Sequence, residues 1–260
     1  MTTLPETKKV SVTAEVMAQA ELAEQVFSLS VQAPAIAQTA QPGQFVQLRL
    51  MEPSFTLRRP VGVAAVDKKR GTCTFIYRQV GRGTAALAEL LPGETVGVLG
   101  PLGHGFGLGY QHPLLVGGGM GLSPLLAVAA AYAGRADVLM GGKTAGELFW
   151  TELFAPHVGQ TFITTDDGSL GAKGFTTSLL PELLEAPERH YDAVLVCGPE
   201  IMMRGVAKIA AAHALPCEVS LEKRMACGLG ACLSCSIDTA HGRRKVCKDG
   251  PVFPAEEVFL

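Results

Sequence analysis

Residues 113–133 read PLLVGGGMGLSPLLAVAAAYA, and this stretch decides the fold of the second half of the chain. The apolar start at 113–116 predicts a buried strand, and residues 122–133 predict a helix. The glycines between them let the backbone approach a phosphate closely, next to the free N–H groups of a helix N-terminus. Pro124 stands where the G-x-G-x-x-G fingerprint has its third glycine, so the motif alone fits a tight turn as well as a nucleotide site. Its place in a first βα unit favours the ligand, because open sheets bind ligands beyond the carboxyl ends of their strands.

Downstream of this stretch, apolar runs alternate with helical segments, a pattern typical of a parallel sheet. Strands are predicted at residues 113–116, 136–140, 161–165, 193–197 and 217–221, and helices at 122–133, 147–154, 176–184 and 200–214. After residue 222 the alternation stops.

Upstream, short alternating segments predict a small antiparallel barrel or sandwich. The predicted strands are residues 10–16, 26–33, 45–50, 60–66, 73–80 and 95–100. Residues 84–91 have helical composition, with Thr84 as the expected N-cap and Pro92-Gly93 as the stop. A glycine-rich break at 103–110 marks the expected domain boundary.

Four cysteines near the C-terminus, Cys227, Cys232, Cys235 and Cys247, are spaced C-x4-C-x2-C-x11-C. The first three follow the plant-type [2Fe–2S] spacing, and the small residues between them allow a loop to wrap an inorganic core. A structural zinc site is the alternative. It usually pairs two C-x2-C knuckles, whereas this sequence has one.

Composition narrows the class of protein. The 260 residues carry 22 basic and 24 acidic side chains, a net charge of −2, which argues against nucleic-acid binding. Seven cysteines, an odd number with four crowded together, fit thiolate ligation in a reducing cytoplasm better than disulfides. The sequence has no signal-peptide pattern and no apolar run long enough to insert in a membrane. We therefore expect a cytoplasmic protein of two domains with a small appendage.

The first half also contains a candidate anion site. Arg58 and Arg59 lie in an otherwise apolar strand, where a charge is costly unless it is paired. Their guanidinium groups suit phosphate capture, although a salt-bridged edge strand explains a single arginine equally well. Gly81-Arg82-Gly83-Thr84 leads into the short helix as a second cradle. Together these residues favour a second nucleotide-like ligand.

Two further groups end predicted strands at the carboxyl edge of the sheet. Asp166 and Asp167 precede a glycine, as in solvated turns, but carboxylates here also suit ribose hydroxyls. For Cys197, a buried core cysteine is the simpler interpretation. The six histidines show no metal or triad spacing, and no hydrolase motif is present.

Several segments match one family together. They are Arg59-Pro60-Val61-Gly62, Gly117-Gly118-Gly119-Met120-Gly121 with Pro124, Thr165-Asp166-Asp167-Gly168-Ser169, Cys197-Gly198-Pro199, Ser220-Leu221-Glu222, Met225-Ala226-Cys227 and the tail from Lys245 to Phe253. On these segments, and over nearly its whole length, the chain resembles the ferredoxin-reductase superfamily. Within it, the chain resembles the electron transfer subunits of NAD-dependent (class B) dihydroorotate dehydrogenase.

The resemblance implies three domains and three redox groups. Residues 1–108 would form an FAD-binding β-barrel, 109–222 an NAD-binding α/β domain and 223–260 a [2Fe–2S] domain. Arg59, Pro60, Val61, Gly62, Ile76, Tyr77, Arg78, Gly83 and Thr84 would contact FAD. Gly117, Gly118, Gly119, Met120, Gly121, Asp166, Asp167, Cys197 and Gly198 would contact NAD(H). The four cysteines of the array would ligate the cluster. Gly62 departs from the Ser or Thr usual in the family, which removes a side-chain hydrogen bond to the flavin N5.

The function implied by the resemblance is electron transfer between dihydroorotate oxidation and NAD⁺ in de novo pyrimidine (UMP) biosynthesis. Nicotinamide exchanges hydride, a [2Fe–2S] cluster accepts single electrons, and flavin does both, so no catalytic acid or base is expected. The chain has no room for the TIM barrel of an FMN-bearing catalytic subunit, which implies a partner, with two copies of each subunit. Two alternatives stay open: a related flavin and iron–sulfur subunit with another acceptor, and a zinc-stabilised interaction module.

Overall fold

The first hundred residues form a closed barrel of six antiparallel strands. The computed structural model describes residues 8–259, and in it the barrel order is β1-β2-β5-β4-β3-β6. The strands are β1 Val10–Ala23, β2 Val26–Gln32, β3 Phe45–Arg49, β4 Arg59–Asp67, β5 Thr72–Arg78 and β6 Thr95–Leu102, with short helices α1 Pro34–Ala37 and α2 Arg82–Ala88.

Period-two alternation places one face of each barrel strand in the core. On β3, Val46 and Leu48 point into the barrel. Their neighbours Phe45 and Gln47 are nevertheless also buried, at 5 % and 0 % exposure. The outer face of β3 is therefore covered by another part of the chain.

The second half forms a seven-stranded sheet in the order β10-β9-β8-β7-β11-β12-β15. Every neighbouring pair is parallel except β12 and β15. The strands are β7 Pro113–Gly118, β8 Asp137–Gly142, β9 Thr161–Thr165, β10 Ala172–Lys173, β11 Ala193–Cys197, β12 Cys217–Ser220 and β15 Val252–Pro254. The helices are α3 Leu122–Tyr132, α4 Trp150–Phe154, α5 Thr176–Glu185 and α6 Glu200–Ala212, with 3-10 turns at Gly119–Gly121 and Ala145–Glu147.

Helix α3 joins the sheet to the barrel. The Ser123 hydroxyl donates to the Ile76 carbonyl at 3.0 Å. A Cβ added to Gly62 would meet the Pro124 ring at 3.4 Å. The turn before α3 is tighter, because a Cβ on Gly121 would lie 2.3 Å from the Cys197 carbonyl oxygen. The ends of β7 and β11 therefore meet beside β4 and β5 of the barrel.

The C-terminal segment contains a hairpin, β13 Ser236–Thr239 and β14 Gly242–Lys245, followed by α7 Val246–Asp249, β15 and α8 Ala255–Val258. It packs between the two larger units. The His104 N–H donates to the Gly250 carbonyl at 2.7 Å on the barrel side, and β15 pairs with β12 on the sheet side. Phe45 of β3 packs in one cluster with Cys235, Cys247 and Phe253, which accounts for the buried outer face of β3.

Most predicted elements are confirmed, and the exceptions have local causes. The prediction of Thr84 as N-cap is wrong. Gly81 is the N-cap, and the Thr84 hydroxyl accepts the Val80 and Gly81 N–H groups from the first turn. The helix predicted from residue 147 begins at Trp150, because a 3-10 turn comes first. Strand β1 extends seven residues past its predicted end at 16, with two register shifts.

Candidate functional site

The four cysteines of the array lie in two pairs that differ in burial. Cys227 and Cys232, the outer pair, are half-buried and exposed, respectively. Cys235 and Cys247, the inner pair, are each 2 % exposed. The thiols within each pair are close enough to influence one another, since Cys232 helps to lower the pKa of Cys227 and Cys235 helps to raise that of Cys247. Among residues 8–259, no three His, Cys, Asp or Glu side chains converge as they would around a single metal ion.

Backbone N–H groups point at the cysteine sulfurs. The Cys227 sulfur accepts from Leu229 at 3.3 Å and Cys232 at 3.5 Å. The Cys247 sulfur accepts from Gly230 at 3.1 Å, and the Cys235 sulfur from the Cys247 N–H at 3.4 Å. The loop adopts this shape because Gly228 and Gly230 take φ values of +70° and +83°. Such N–H groups stabilise thiolates, the form that binds iron.

The hairpin explains the eleven-residue gap before the last cysteine. Ser236 pairs with Lys245 at the open end of β13 and β14. The Val246 N–H donates to the Cys235 carbonyl at 3.1 Å. The inner pair is therefore brought together by a hairpin that the sequence did not indicate beforehand, although Gly242, with φ +91°, marks its turn.

One thiol in each pair has a shifted pKa, and the two shifts have opposite directions. Burial disfavours the Cys227 thiolate, but the N–H groups of Leu229 and Cys232 outweigh it and lower its pKa to about 6. Burial, together with the neighbouring Cys235, raises the pKa of Cys247 to about 12. Cys227 thus favours the thiolate form without any metal, and Cys247 favours the neutral thiol.

The candidate anion site on the barrel is built around Arg59. Its guanidinium lies against Gly83, where an added Cβ would overlap it, and donates to the Leu57 carbonyl. It also stacks over the Phe55 ring at 5.0 Å. Nearby, Arg58 has a buried nitrogen without a partner, and burial followed by the charge of Arg49 lowers its pKa. This concentration of positive charge fits a phosphate-bearing ligand better than a salt-bridged strand.

The β5 residues assigned to FAD contribute in different ways. Ile76 packs against α3 and offers its carbonyl to Ser123. The Tyr77 ring is buried in the barrel core, and its hydroxyl accepts from Gln19 at 3.0 Å. Arg78 has a buried Nε without a partner and faces the cleft described next. On β4, Pro60 and Val61 precede Gly62, which faces Pro124.

A cleft of about 1080 Å³ opens at the carboxyl edge of the parallel sheet. Gly118, Gly119, Met120, Gly121, Asp166 and Gly198 line it. Gly117 lies just below, where a Cβ would overlap Leu122. A Cβ at Gly118 would lie 2.7 Å from the Met202 sulfur, so there is no room for a side chain there. The floor of the cleft at Gly118 therefore consists of backbone atoms. Bare backbone beside a turn into α3 is suited to a pyrophosphate.

Two residues predicted for the cleft lie away from its surface. The Asp167 carboxylate accepts from the Ser169 hydroxyl at 2.6 Å and the Ser169 N–H at 2.9 Å, which lowers its pKa. Cys197 is buried, its thiol donates to the Ser220 carbonyl at 3.7 Å, and burial raises its pKa. Asp166, not Asp167, is the carboxylate that borders the cleft.

Sequence reasoning did not assign three other cleft residues. Thr164 and Thr176 are 1 % and 2 % exposed, and both hydroxyls lack a partner. Glu222 follows β12 and is accessible in the cleft, yet desolvation by the surrounding protein raises its pKa. Thr164 and Glu222 could have been found from their position at strand ends of the same edge. Unpartnered buried hydroxyls fit a ligand that supplies hydrogen bonds.

No helix within residues 8–259 has both the length and the apolar character needed to cross a membrane.

Comparison with known proteins gives consistent matches. The family described as the iron–sulfur cluster binding domain of dihydroorotate dehydrogenase B matches residues 222–259. The electron transfer subunit of dihydroorotate dehydrogenase B (NAD⁺) from Bacillus caldolyticus is 41 % identical, covering 94 % of this chain and 97 % of that protein. The same subunit from Bacillus cereus (strain Q1) is 39 % identical, covering 94 % and 97 %.

Two solved structures have the same fold. One is an NADH-dependent reduced ferredoxin–NADP oxidoreductase studied for flavin-based electron bifurcation, with TM-score 0.84 and 32 % identity over 94 % of this chain and 89 % of that one. The other is the ferredoxin reductase of carbazole 1,9a-dioxygenase, with TM-score 0.68 and 24 % identity over 82 % and 68 %. The second match supports the fold alone.

Proposed function

Because this chain belongs to the family of dihydroorotate dehydrogenase B electron transfer subunits, we propose that it carries electrons between a dihydroorotate-oxidising flavin subunit and NAD⁺. The reaction belongs to de novo pyrimidine biosynthesis. The observation that carries the proposal is the two-pair arrangement of cysteines, with four backbone N–H groups on their sulfurs.

The array suits a [2Fe–2S] cluster. Such a cluster has two irons, each held by two protein ligands, so two cysteine pairs are the arrangement it needs. We assign the outer pair to one iron and the inner pair to the other. A single zinc ion would need all four thiolates around one point, and no such convergence exists among residues 8–259.

We assign FAD to the face of the barrel that meets α3. Arg59, beside Gly83 and the first turn of α2, would hold the pyrophosphate. The backbone of Pro60, Val61 and Gly62, with Ile76, Tyr77 and Arg78, would border the flavin ring, and Thr84 fixes the turn that presents Gly83. With glycine at position 62, any hydrogen bond to the flavin N5 from this residue must come from its backbone N–H.

NAD(H) is assigned to the cleft of the parallel sheet. The turn from Gly117 to Gly121 would hold the pyrophosphate, and Asp166 would border the ribose. A carboxylate there disfavours a 2′-phosphate, which supports NAD(H) over its phosphorylated form. Asp167 would act indirectly, by holding its turn through Ser169. Cys197 would act likewise, by placing Gly198 at the floor of the cleft.

When bound, FAD would accept a hydride from the nicotinamide or return one to it, and would exchange the two electrons one at a time with the cluster while it gains or loses the proton. The chain's own residues position these groups. Helix α3 touches the barrel through Ser123 and Pro124 and starts at the floor of the NAD cleft. Helix α3 would therefore hold the flavin site and the nicotinamide site next to each other, and we propose that no side chain acts as a catalytic acid or base.

The partner is a dihydroorotate dehydrogenase catalytic subunit. We propose that it carries FMN on a TIM barrel and that two copies of each subunit assemble. Leu229 and Leu233, 45 % and 59 % exposed, flank the exposed Cys232 and offer an apolar rim for this contact. The three-domain division at residues 108 and 222 and the cytoplasmic location stay predictions.

The deciding experiment is co-purification of the chain with its partner, followed by an assay of dihydroorotate oxidation by NAD⁺. We expect a coloured complex that contains FAD, iron and sulfide. A colourless, iron-free chain after anaerobic purification would overturn the proposal, and zinc without flavin would favour the interaction module.

A second assay tests whether the chain exchanges electrons with a different redox partner. The likeness to the bifurcating oxidoreductase at TM-score 0.84 favours a second candidate, a flavin and iron–sulfur subunit that serves another redox partner. Failure to capture a dihydroorotate-oxidising subunit, combined with rapid NADH reduction of the bound flavin, would favour that candidate.

A further inference from the structure

Gln47 of β3 is a buried amide with nothing to bind. Its side chain is 0 % exposed, and neither Oε1 nor Nε2 has a hydrogen-bond partner in the structure. Leaving such a group unpaired is destabilising, so buried amides in native proteins usually bind a protein group, a water or a ligand.

The position of Gln47 restricts what that partner can be. Its strand neighbours Val46 and Leu48 point into the barrel, so Gln47 points out of it. There it lies against the cysteine loop, because a Cβ built on Gly228 would be 2.8 Å from both Cγ and Nε2 of Gln47. Gly228 has φ +70° and directly follows Cys227. The amide of Gln47 therefore reaches the cluster loop from the barrel side, on the side of the outer pair.

Within residues 8–259, no barrel residue donates a hydrogen bond to a cysteine sulfur. Each N–H that contacts a cysteine sulfur comes from the loop or from α7. Cluster sulfurs accept hydrogen bonds, and an amide NH₂ offers two donors. Hydrogen bonds to the sulfurs are one of the means by which a protein sets the reduction potential of a cluster.

We infer that Gln47 donates its Nε2–H to a sulfur of the [2Fe–2S] cluster and thereby raises the reduction potential of the cluster. The inference rests on the proposed function, since it requires the cluster. Gln47 would then connect the barrel that we assign to FAD with the cluster loop through a hydrogen-bond donor. The reduced cluster carries more negative charge on its sulfurs than the oxidised cluster, so it accepts a stronger hydrogen bond from Gln47. Loss of this donor therefore disfavours reduction and lowers the reduction potential.

The test compares two buried glutamines three residues apart. Gln47→Met keeps the length of the side chain and removes its polar atoms. Gln44→Met is the matched control, since Gln44 is 2 % exposed and already donates to the Gly103 carbonyl at 2.7 Å. In an EPR-monitored redox titration of anaerobically purified protein, we expect Gln47→Met to disfavour cluster reduction about tenfold, which is about 59 mV for one electron. Gln44→Met should leave the potential unchanged. Gln47→Leu, measured in parallel, should shift as Gln47→Met does.

Stability gives a second readout, in which Gln47→Met is expected to affect the iron-free protein and the loaded protein in opposite directions. In iron-free protein, Gln47→Met should unfold at the same or higher urea concentration than wild type, because it removes an unpaired amide. In loaded protein, the same variant should lose iron to a chelator faster. Gln44→Met should destabilise both forms.

An unchanged potential and unchanged iron loss in both Gln47 variants would overturn the inference. Destabilisation of iron-free Gln47→Met as large as that of Gln44→Met would also overturn it, because it would reveal a partner within the protein. Wild-type protein that binds no iron would instead overturn the proposed function itself, so the two failures are distinguishable.

Discussion

The outer and inner cysteine pairs are built by different physical means. The inner pair belongs to a hydrophobic cluster with Val246 and Phe253, so packing fixes it. The outer pair lies on an open loop whose shape comes from two glycines with positive φ. Both pairs accept backbone hydrogen bonds, but burial in a hydrophobic cluster holds the inner pair in addition.

This difference has a chemical consequence for loading the site. The outer pair includes a thiol with a pKa of about 6, whereas Cys247 has a pKa of about 12. A metal must displace a proton from each thiol that it binds. We therefore expect iron to be captured at the outer pair first, with the inner pair completing the cluster.

The largest expected effect comes from removing an outer ligand. Cys232→Ser should abolish electron transfer to the catalytic subunit while NADH still reduces the flavin at a rate near that of wild type. The reason is that the proposed cluster lies after the flavin in the relay. Stopped-flow reduction by NADH, followed by the coupled assay with the partner, measures the two steps separately. Equal loss of both steps would contradict the proposed order.

The next effect is a difference in thiol reactivity. In iron-free protein at pH 7, Cys227 is mostly thiolate and Cys247 almost entirely thiol, given their pKa values of about 6 and 12. After allowing for the lower nucleophilicity of the more acidic thiol, Cys227 should alkylate roughly a hundredfold faster. Its rate should fall as the pH drops below about 6 and stay level above about 7.

Mass spectrometry of iodoacetamide-treated protein over a range of pH checks this prediction. Comparable alkylation rates of Cys227 and Cys247 at pH 7 would show that the pKa values of these two thiols do not differ as expected.

A smaller effect is expected on the stability of the iron-free protein, where cysteines contribute through packing and not as iron ligands. Cys235→Ser places a hydroxyl in the hydrophobic cluster and should lower the free energy of unfolding of iron-free protein by about 1–2 kcal/mol. Cys232→Ser is the matched control at an exposed site and should change it by less than about 0.5 kcal/mol. Urea denaturation of both iron-free variants measures the difference. Equal effects would mean that burial does not hold the inner pair.

The smallest expected difference is between the iron retention of variants at the two loop glycines. Alanine at either Gly228 or Gly230 must adopt a positive φ, at a cost of about 1–2 kcal/mol. Gly228→Ala also meets the buried Gln47 side chain, whereas Gly230→Ala meets the Lys248 side chain. We expect Gly228→Ala to retain less iron after chelator treatment than Gly230→Ala. The reverse order would place the critical contact of the loop on its lysine side.

Much of the fold could be predicted from the sequence, because the hydrophobic period changes clearly near residue 112. Barrel and parallel sheet are confirmed, and strands β9 and β11 begin and end at the predicted residues. The hairpin could not be predicted because most of its residues are polar, and β15 could not because it has only three residues and depends on pairing with β12. Local hydrogen bonding likewise gave Thr84 a role inside the helix rather than at its cap.

The sequence predicted those parts of the candidate site whose residues occur at fixed intervals along the chain. The four cysteines and the glycine turn were found because their chemistry requires particular residues at particular intervals. Gln47, Thr164 and Thr176 were missed, because a single polar residue in a strand or at the start of a helix carries no pattern. Only burial without a partner makes these side chains stand out.

The closing strand β15 makes the cysteine segment an insertion between neighbouring strands. The chain leaves the sheet at the end of β12 and returns beside it, and the Leu221 N–H donates to the Pro251 carbonyl at 2.9 Å. Since the two ends already meet, a segment of another length adds little loop-closure entropy to the fold. Evolution can therefore exchange the terminal electron carrier, and with it the choice of redox partner, while the flavin and nucleotide units stay in place.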